Sequence, residues 1–287
     1  MQSNNPIFTR SPEFNGQGQG SAAGGYASPQ NPYGSDPSTW GTGTPGTTQE
    51  YGGPSAPMTI DSVVQKSAIS IALVFVFAAL TWYLTPEVTS ETAGSLYGAL
   101  LIGSGAAFAL SLVNSFKRVI SPALVMAFAA AEGVALGALS KFFDATFVSD
   151  QGITGNIVMQ AVVGTFAAFA GTLAAYKFFD IQVGQKFRTF VIAAMFGMVA
   201  LGLLEMVLGL FGNAIGFFGF GALGLLFSVA GLALGIFMLI LDFDMIERGI
   251  AARLPERESW RAAFGLTVSL VWIYTNLLRI LAILRGD

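Results

Sequence analysis

Two aspartates stand at the end of a long uncharged run of the sequence. Asp242 and Asp244 lie in LDFDMIERG, residues 241–249, directly after a run without charge from Met206 to Leu241. Two residues along a helix correspond to a rotation of ~200°, so the two carboxylates would face nearly opposite sides. Asp244 and Arg248 are four residues apart and can form an ion pair. The pattern fits either the wetted end of a helix or a proton-binding gate inside a helix bundle, and for a gate we expect Asp244 to point inward.

Five more polar side chains fall inside apolar segments. Glu132, in MAFAAAEGVALGALS, lies about twelve residues into its segment, ~18 Å by helical rise, where a short side chain does not reach the surface. We expect it to line a polar cavity or to hydrogen-bond, uncharged, to a neighbouring helix. Asn114 lies near the end of its segment, close to the level of the two aspartates, and is predicted to line the same cavity. Glu205 and Arg279 fall at similar depth on different segments, which predicts an ion pair that acts as a structural latch between helices. Asn276, near the middle of the last segment, can bond across helices.

The composition excludes several classes of function. The chain of 287 residues is 53% hydrophobic and 11% charged, against roughly 25% charged in an average soluble domain, which predicts an integral membrane protein. It has no cysteine and no histidine, so a cysteine nucleophile, a Ser-His triad and a histidine-bound zinc are excluded. A retinal protein is excluded, because the last apolar segment has no lysine to bind retinal. An intramembrane aspartyl protease is excluded, because it needs aspartates on two helices and only the sixth segment has any. A phosphate-binding loop of the GxxxxGK[ST] type does not occur. We therefore predict that the protein is not an enzyme and has no cofactor, and its net charge of −3 gives no argument for a nucleic-acid partner.

Seven apolar segments are long enough to cross a bilayer, which requires ~20 residues. They cover residues 63–84, 94–116, 120–142, 155–178, 188–210, 217–245 and 262–284. Glycine, alanine and serine recur inside them, which favours close helix packing. The predicted fold class is an all-α integral membrane protein with seven transmembrane helices over residues 58–287. Residues 1–57 are rich in Gly, Pro, Ser, Thr and Gln and are predicted to form a disordered tail.

Loop charges predict the orientation in the membrane. One side's loops hold nine basic residues: Lys117, Arg118, Lys177, Lys186, Arg188, Arg248, Arg253, Arg257 and Arg261. The loops of the other side hold one, Lys141. The positive-inside rule therefore predicts a tail in the cytoplasm and a C-terminus outside.

Three stretches resemble the Bax inhibitor-1 family, in particular its bacterial branch with a long N-terminal tail. They are MTIDSVVQKSA at 58–68, FAAAEGVALGALS at 128–140 and LDFDMIERGIAARLPERESWRAAFGLTVSLVWIYTNLLRILAIL at 241–284. The resemblance covers roughly residues 58–287, and its last motif is long and specific. It implies a bundle in which the seventh helix is surrounded by the other six, in a bacterial plasma membrane.

The resemblance also implies a function, a pH-sensitive passive leak for calcium. In that family an aspartate on the sixth span and one on the seventh share a hydrogen bond that opens or shuts the pore with protonation. The sixth-span acid matches Asp244, but the matching part of the seventh span, residues 273–277, has Thr275 and Asn276 in place of an acid. Glu132 matches the family's third-span glutamate. We expect Asp244, with Asp242 and Asn276 nearby, to sense pH, and we expect only weak binding of Ca²⁺ at a site whose metal ligands the sequence does not define.

Two further readings remain open at this level. One is a non-conducting regulatory membrane protein that binds or modulates other membrane proteins, such as a quality-control protease, through its tail or its bundle surface. The other is a proton-coupled transporter, which would predict internal repeats with broken helices, and no convincing repeat is visible.

Overall fold

The computed structural model describes residues 56–89, 91–147, 156–179 and 181–286, and it contains seven long α-helices. They are α1 (Ile60–Leu84), α2 (Ala93–Phe116), α3 (Pro122–Thr146), α4 (Ile157–Phe178), α5 (Gln185–Leu210), α6 (Ala222–Ala251) and α7 (Ser259–Gly286). A short 3₁₀ turn, Glu256–Glu258, precedes α7. All seven helices are long and apolar enough to cross a membrane. The protein is therefore a multi-pass membrane protein, as the composition predicts.

Local sequence signals set where the helices begin and end. Thr59 and Ser62 form a reciprocal capping box at the start of α1, and Asn156 accepts two backbone N–H groups at the start of α4. Pro122 occupies the first turn of α3, where its missing N–H costs nothing. The predicted sixth segment is displaced, because α6 begins at Ala222 rather than at 217 and continues to Ala251. The chain before it bends at Gly216, whose φ of 103° favours glycine.

The seventh helix lies at the centre of the bundle. It is the most buried of the seven, and α1, α3, α4 and α6 all pack directly against it. The two remaining helices occupy outer positions, with α2 on α3 and α5 on α6. The prediction of an all-α bundle with a central seventh helix is confirmed, but four helices rather than six pack directly on it.

Small residues allow the close approach of α1, α2 and α3. A Cβ atom added to Gly133 would lie 2.6 Å from the Val74 carbonyl oxygen, and one added to Gly137 would lie 2.5 Å from the Ala78 carbonyl oxygen. On the opposite face of α3, a Cβ on Gly103 of α2 would meet the backbone of α3 at 2.7 Å. In a membrane, where lipid is as apolar as the side chains, such backbone proximity is a main source of packing energy. These three helices therefore form a tightly packed layer that fixes the position of Glu132.

The segment before α1 is attached to the connection between α6 and α7. The Met58 amide donates to the Leu254 carbonyl at 2.7 Å, and the Glu256 amide donates to the Ala56 carbonyl at 2.7 Å. The Met58 side chain is buried against Gly249 of α6. Of the predicted disordered tail, residues 1–55 lie outside the described residues, while Ala56 and Pro57 take part in this attachment.

Candidate functional site

Asp244 is a buried carboxylate held between two arginines. It lies near the end of α6 and is only 5% exposed. Its Oδ2 accepts from Arg188 Nη2 of α5 at 3.0 Å, and its Oδ1 accepts from Arg248 Nε at 2.9 Å. The pair with Arg248 is the i,i+4 contact that the spacing predicts. The two arginines are 37% and 58% exposed, so one negative charge is buried while both of its partners reach solvent.

Arg248 extends this arrangement to the chain before α5. Its Nη2 donates to the Val183 carbonyl at 2.9 Å, and Val183 directly precedes Gly184, the N-cap residue of α5. Arg188 lies in the first turns of α5, so Asp244 holds the beginning of that helix through both cations. Because α5 occupies an outer position and packs on α6, this ion-paired cluster joins the beginning of α5 to α6 at this end of the bundle.

Asp242 faces the central helix. Its Oδ2 accepts a hydrogen bond from the Ser269 hydroxyl of α7, and a Cβ added to Gly265 of α7 would lie 2.8 Å from its Oδ1. Asp242 lies on the α6 stripe of Gly231 and Gly235, which also meets α7. The structure therefore places Asp242, and not Asp244, at the contact between the sixth and seventh helices.

A groove between α5 and α6 leads to Asp242. It encloses about 280 Å³ and is lined by the apolar side chains of Val191, Ile192 and Met195 from α5 and of Met238 from α6. Val191 is about one turn beyond Arg188 on α5, and Asp242 is on the same turn of α6 as Asp244, on the opposite face. The ion pairs of Asp244 thus hold in place the same part of α5 that covers Asp242.

Asn276 does not contact Asp244. Its Oδ1 would lie 2.3 Å from a Cβ on Gly231, and its Nδ2 donates to the Trp272 carbonyl at 2.8 Å. Gly231 is thirteen residues before Asp244 on α6, which corresponds to ~20 Å of helical rise. Asn276 is therefore not near Asp244, which corrects the expectation. Thr275 is not its partner either, because the Thr275 hydroxyl donates to the Val271 carbonyl of its own helix. On the seventh helix, Ser269 is the partner of Asp242, and Asp244 is paired only with the two arginines among the described residues.

Glu132 lies on the face of α3 that turns toward the centre of the bundle. Val125, Phe128, Leu136 and Phe143 of the same face are buried, and Phe128 packs edge-on against Phe264 of α7. Glu132 itself is half-buried, and its carboxylate makes no hydrogen bond or ion pair with any described residue. The expected hydrogen bond to a neighbouring helix is therefore absent among the described residues, and the cavity-lining role stays a prediction, because neither the groove nor any other cavity described in the structure is lined by Glu132.

Asn114 joins the end of α2 to the first turn of α3. Its side chain is 1% exposed, and its Nδ2 donates to the Leu124 carbonyl at 3.2 Å. Its Oδ1 is buried and has no hydrogen-bond partner among the described residues, as is also true of the hydroxyls of Ser67 and Ser70 on α1. Buried acceptors and hydroxyls without partners are costly unless water or an ion satisfies them.

Glu205 and Arg279 do not pair with each other but bind the same loop. Glu205 of α5 accepts the amide N–H groups of Ile215 at 2.8 Å and Gly216 at 2.7 Å. Arg279 of α7 donates to the Phe217 carbonyl at 2.8 Å and lies over the ring of Phe218. The expected direct ion pair is therefore wrong in its partners, because the loop between α5 and α6 is interposed between the two charges.

A tyrosine of α4 contacts the acid next to Arg248. Tyr176 donates its hydroxyl hydrogen to Glu247 Oε2 at 2.7 Å, and its ring packs against Phe243 of α6. Among the described residues there is no group of three or more acidic side chains that could hold a metal ion. The site is thus a set of single carboxylates on separate faces of α6, each attached to a different neighbouring helix.

The family model for Bax inhibitor 1 like proteins matches residues 5–286 of the chain. The chain belongs to the Bax inhibitor 1 like family. Comparison with curated proteins found no match to it. The resemblance read from the three motifs is confirmed, and the match extends over all seven helices.

Within this Bax inhibitor 1 like chain, sequence reasoning missed two residues that the geometry brings to the site. Arg188 was counted only as a loop charge, although its spacing to the apolar residues of α5 puts it within the first turns of the helix. Ser269 carried no signal by type, since serine is common in membrane helices. Its position could have been found from the α6–α7 hairpin, because Asp242 and Ser269 are nearly the same number of residues from the connection between the helices.

Proposed function

We propose that this Bax inhibitor 1 like protein is a passive cation leak, permeable to Ca²⁺, whose opening is controlled by protonation at Asp244. The observation that carries the proposal is the buried Asp244 carboxylate, bound at 3.0 Å and 2.9 Å to two arginines that reach solvent. A carboxylate in such a place acts on its surroundings through its charge, and uptake of one proton removes that charge.

Protonation of Asp244 would release the start of α5. A neutral carboxyl no longer forms an ion pair with either arginine, and both guanidinium groups then gain more from full hydration. Arg188, already 37% exposed, can turn toward water and carry the first turns of α5 away from α6. Val191 and Ile192 move with them, which opens the groove over Asp242. In this mechanism the leak increases as the pH falls.

The opened groove would offer a cation a small number of oxygen ligands. Asp242 and the Ser269 hydroxyl come first, and Glu132 of α3, which has no protein partner among the described residues, lies at a similar level of the bundle. Ca²⁺ takes six to eight oxygen ligands in well-formed sites. With so few protein ligands the ion keeps most of its water, so binding is weak and passage is quick, as a leak requires. No cofactor enters this mechanism.

The proposal is tested by calcium flux into liposomes that hold the full chain and a calcium dye, measured across pH. Asp244→Asn, which resembles the protonated form, is expected to conduct at all pH values and to lose the pH response. Arg188→Gln removes the other half of the same contact and is expected to do likewise. Glu247→Gln is the matched control, because Glu247 is an acid on the same turn that binds Tyr176 rather than an arginine.

The outcomes separate gate from pathway. Asp242→Asn is expected to lower the flux while the remaining flux keeps its dependence on pH. If Asp244→Asn and Arg188→Gln both leave flux and pH response as in the unmodified protein, the gate is not at Asp244. If no variant and no pH gives flux above empty liposomes, the protein does not conduct.

The proposed placement is a bacterial plasma membrane with the N-terminus in the cytoplasm and the C-terminus outside. The excess of basic residues in alternate loops supports it. Protease added to right-side-out vesicles is expected to leave residues 1–55 intact and to remove them in inverted vesicles. The reverse pattern would show that the bundle has the opposite orientation, with the N-terminus outside.

The attachment of the segment before α1 favours a second candidate function, regulation of other membrane proteins through the tail. Ala56, Pro57 and Met58 bind the α6–α7 connection, and Met58 packs on Gly249, about one turn beyond Asp244. The three residues through which the tail joins the bundle are therefore close to the proposed gate, so tension on the tail would be applied there. Deletion of residues 1–55, which keeps this attachment, is expected to preserve flux and to abolish pull-down of a membrane protease; a pull-down that survives the deletion would exclude the tail.

A further inference from the structure

A crevice opens on the side of the bundle between α1 and α4. It encloses about 360 Å³, within the size range of ligand pockets, and its floor is the central helix α7. Both α1 and α4 pack on α7, but they diverge from each other, so that the crevice lies between them. Phe75 of α1 and Phe166 of α4 face each other across it, with ring centroids 6.2 Å apart, and both are about half exposed. The mouth therefore opens sideways, toward the bilayer rather than toward water.

The lining of the crevice has almost no free polar groups that would hold water, so water does not compete with a hydrocarbon chain for this space. Most lining groups are apolar, and the four buried hydroxyls in the lining already have protein partners, while Tyr83 is exposed at the far end. Ser140 and Tyr274 bond to each other at 2.6 Å, while Thr165 donates to the Ala161 carbonyl and Thr267 to the Ala263 carbonyl. A buried water needs two to four polar partners, so a cavity of this kind excludes water and accepts apolar groups.

The length of the crevice matches one leaflet. On α1 the lining extends from Ile71 to Tyr83, which is ~18 Å by helical rise. Half of the hydrocarbon core of a bilayer is ~15 Å thick. At the far end lie Trp82 and the exposed Tyr83, the residue types found at the membrane–water boundary. The crevice thus extends from mid-membrane to the interface on the side opposite the segment before α1.

A lysine stands at the interfacial end. Lys141 of α3 follows Ser140 in the chain, and its ammonium donates to the carbonyl oxygens of Trp82, at 2.7 Å, and of Thr85. An ammonium has three donors, and the third has no partner among the described residues. This donor and its positive charge are suited to an anionic phosphate at the level of the headgroups.

We propose that the crevice binds one acyl chain of a bilayer phospholipid, whose phosphate is held at Lys141. The chain lies against α7 along residues 267–274, and the mouth between α1 and α4 is its route of entry. A phospholipid is the occupant because the mouth faces the bilayer, where phospholipid is the bulk component, and because the site joins a leaflet-long apolar crevice to a cation. This site is separate from the proposed gate, because no residue of α6 lines the crevice and Asp244 lies near the opposite side of the membrane.

The test uses the full chain in phosphatidylethanolamine–phosphatidylglycerol vesicles that contain a phosphatidylglycerol with a photoactivatable diazirine in one chain. Irradiation followed by peptide mass spectrometry is expected to label residues 267–274. The decisive labels are those on Thr267, Leu270 and Tyr274, because these residues line the crevice and are buried among the neighbouring helices, where bulk lipid does not reach them. Labels confined to exposed positions such as Phe75 and Phe166 would overturn the proposal.

Matched variants make the test specific. Ala79 is exposed and lines the crevice, so Ala79→Trp fills the mouth without disturbing the core, and it is expected to lower α7 labelling about tenfold, as displacement of about two methylene groups predicts. Ala106→Trp, at an exposed position of α2, is the control and should change nothing. Equal labelling in both variants would overturn the proposal.

Two further probes identify the source of the chain. A free fatty acid with the same diazirine, added at equal amount, should label α7 less than the phospholipid does. The opposite result would show that the ligand is a fatty acid and not a phospholipid. Lys141→Gln is expected to lower labelling by the phospholipid about threefold, in keeping with an interfacial ion pair, and to leave labelling by a diazirine diacylglycerol unchanged. An equal loss for both probes would show that Lys141 does not hold the phosphate.

Discussion

Replacement of Glu205 by glutamine tests how the loop between α5 and α6 is held. Glu205 is 4% exposed, and its two carboxylate oxygens each accept one backbone N–H, from Ile215 and Gly216. Glutamine has the same shape but keeps one acceptor oxygen. Its amide nitrogen is a donor, and in the position of the second oxygen it would face another donor.

The loss of stability expected for Glu205→Gln follows from these two hydrogen bonds. A hydrogen bond to a charged group contributes ~1.5–3 kcal/mol, whereas a neutral bond contributes ~1 kcal/mol. Glu205→Gln loses one charged bond entirely, since its N–H partner is left without an acceptor, and it weakens the other to a neutral bond. We expect a loss of ~2–4 kcal/mol in the free energy of unfolding, against a total of ~5–15 kcal/mol for an ordinary protein.

Thermal unfolding in detergent micelles, followed by intrinsic fluorescence, measures this loss. A change of 1 kcal/mol shifts the melting temperature by ~2–4 °C in a chain of this size, so Glu205→Gln should lower it by about 4–16 °C. Glu87→Gln is the matched control, because Glu87 is an exposed acid in the α1–α2 connection whose side chain has no partner among the described residues. Its melting temperature should stay within about 2 °C of the unmodified protein.

The refuting result is a small effect. If Glu205→Gln and Glu87→Gln unfold at the same temperature, the loop is held by its backbone turn at Gly216 and by Arg279 alone. The carboxylate would then be present for another reason than stability, and the idea of a latch would fail.

Two further predictions concern the packing around the central helix, and the same thermal assay measures both. Gly133→Ala should lower the free energy of unfolding by ~1–3 kcal/mol, because the new methyl group meets the Val74 carbonyl at 2.6 Å; Gly98→Ala, with open space around it, should change stability by less than about 1 kcal/mol. Equal effects of the two would mean that α1 and α3 do not pack as closely as described. Tyr274→Phe removes the 2.6 Å hydrogen bond to Ser140 and should cost ~1 kcal/mol, and no measurable change would show that the α3–α7 contact does not depend on that bond.

The helices and their order were predictable because the bilayer imposes a simple condition on the sequence. A span must bury every backbone polar group within itself and expose apolar side chains, so a long uncharged run has few alternatives to a helix. All seven runs became helices, and the errors were at the ends. The run at 217–221 is equally apolar, yet the chain there turns at Gly216 and binds Glu205 and Arg279. Hydropathy does not register such a turn, because the loop satisfies its polar groups with buried charges.

Depth was easier to predict than direction. Counting residues put Glu205 and Arg279 at one level, and both do reach the same loop, so the depth was right. The partners were wrong because a count of residues does not reveal a loop that folds back between two helices. The four phenylalanines of FGNAIGFFGFG offered a signal, since a connection that only joins two spans does not need this many aromatic rings.

The contact between α6 and α7 shows what a sequence can still give once the topology is known. Two helices joined by a short connection run antiparallel, so residues equally distant from the connection lie at the same level. Asp242 and Ser269 satisfy this condition to within one residue and Gly231 and Asn276 to within one helical turn, whereas Asp244 and Asn276 do not. The ~200° between the two aspartates then allows only one of them to face α7. The glycines at 231 and 235 decide which, because they are eleven and seven residues before Asp242 and so lie on its face of α6, and they alone leave room for a central helix. The acid that meets α7 is therefore fixed by where the small residues stand, and Asp244 is left to meet α5.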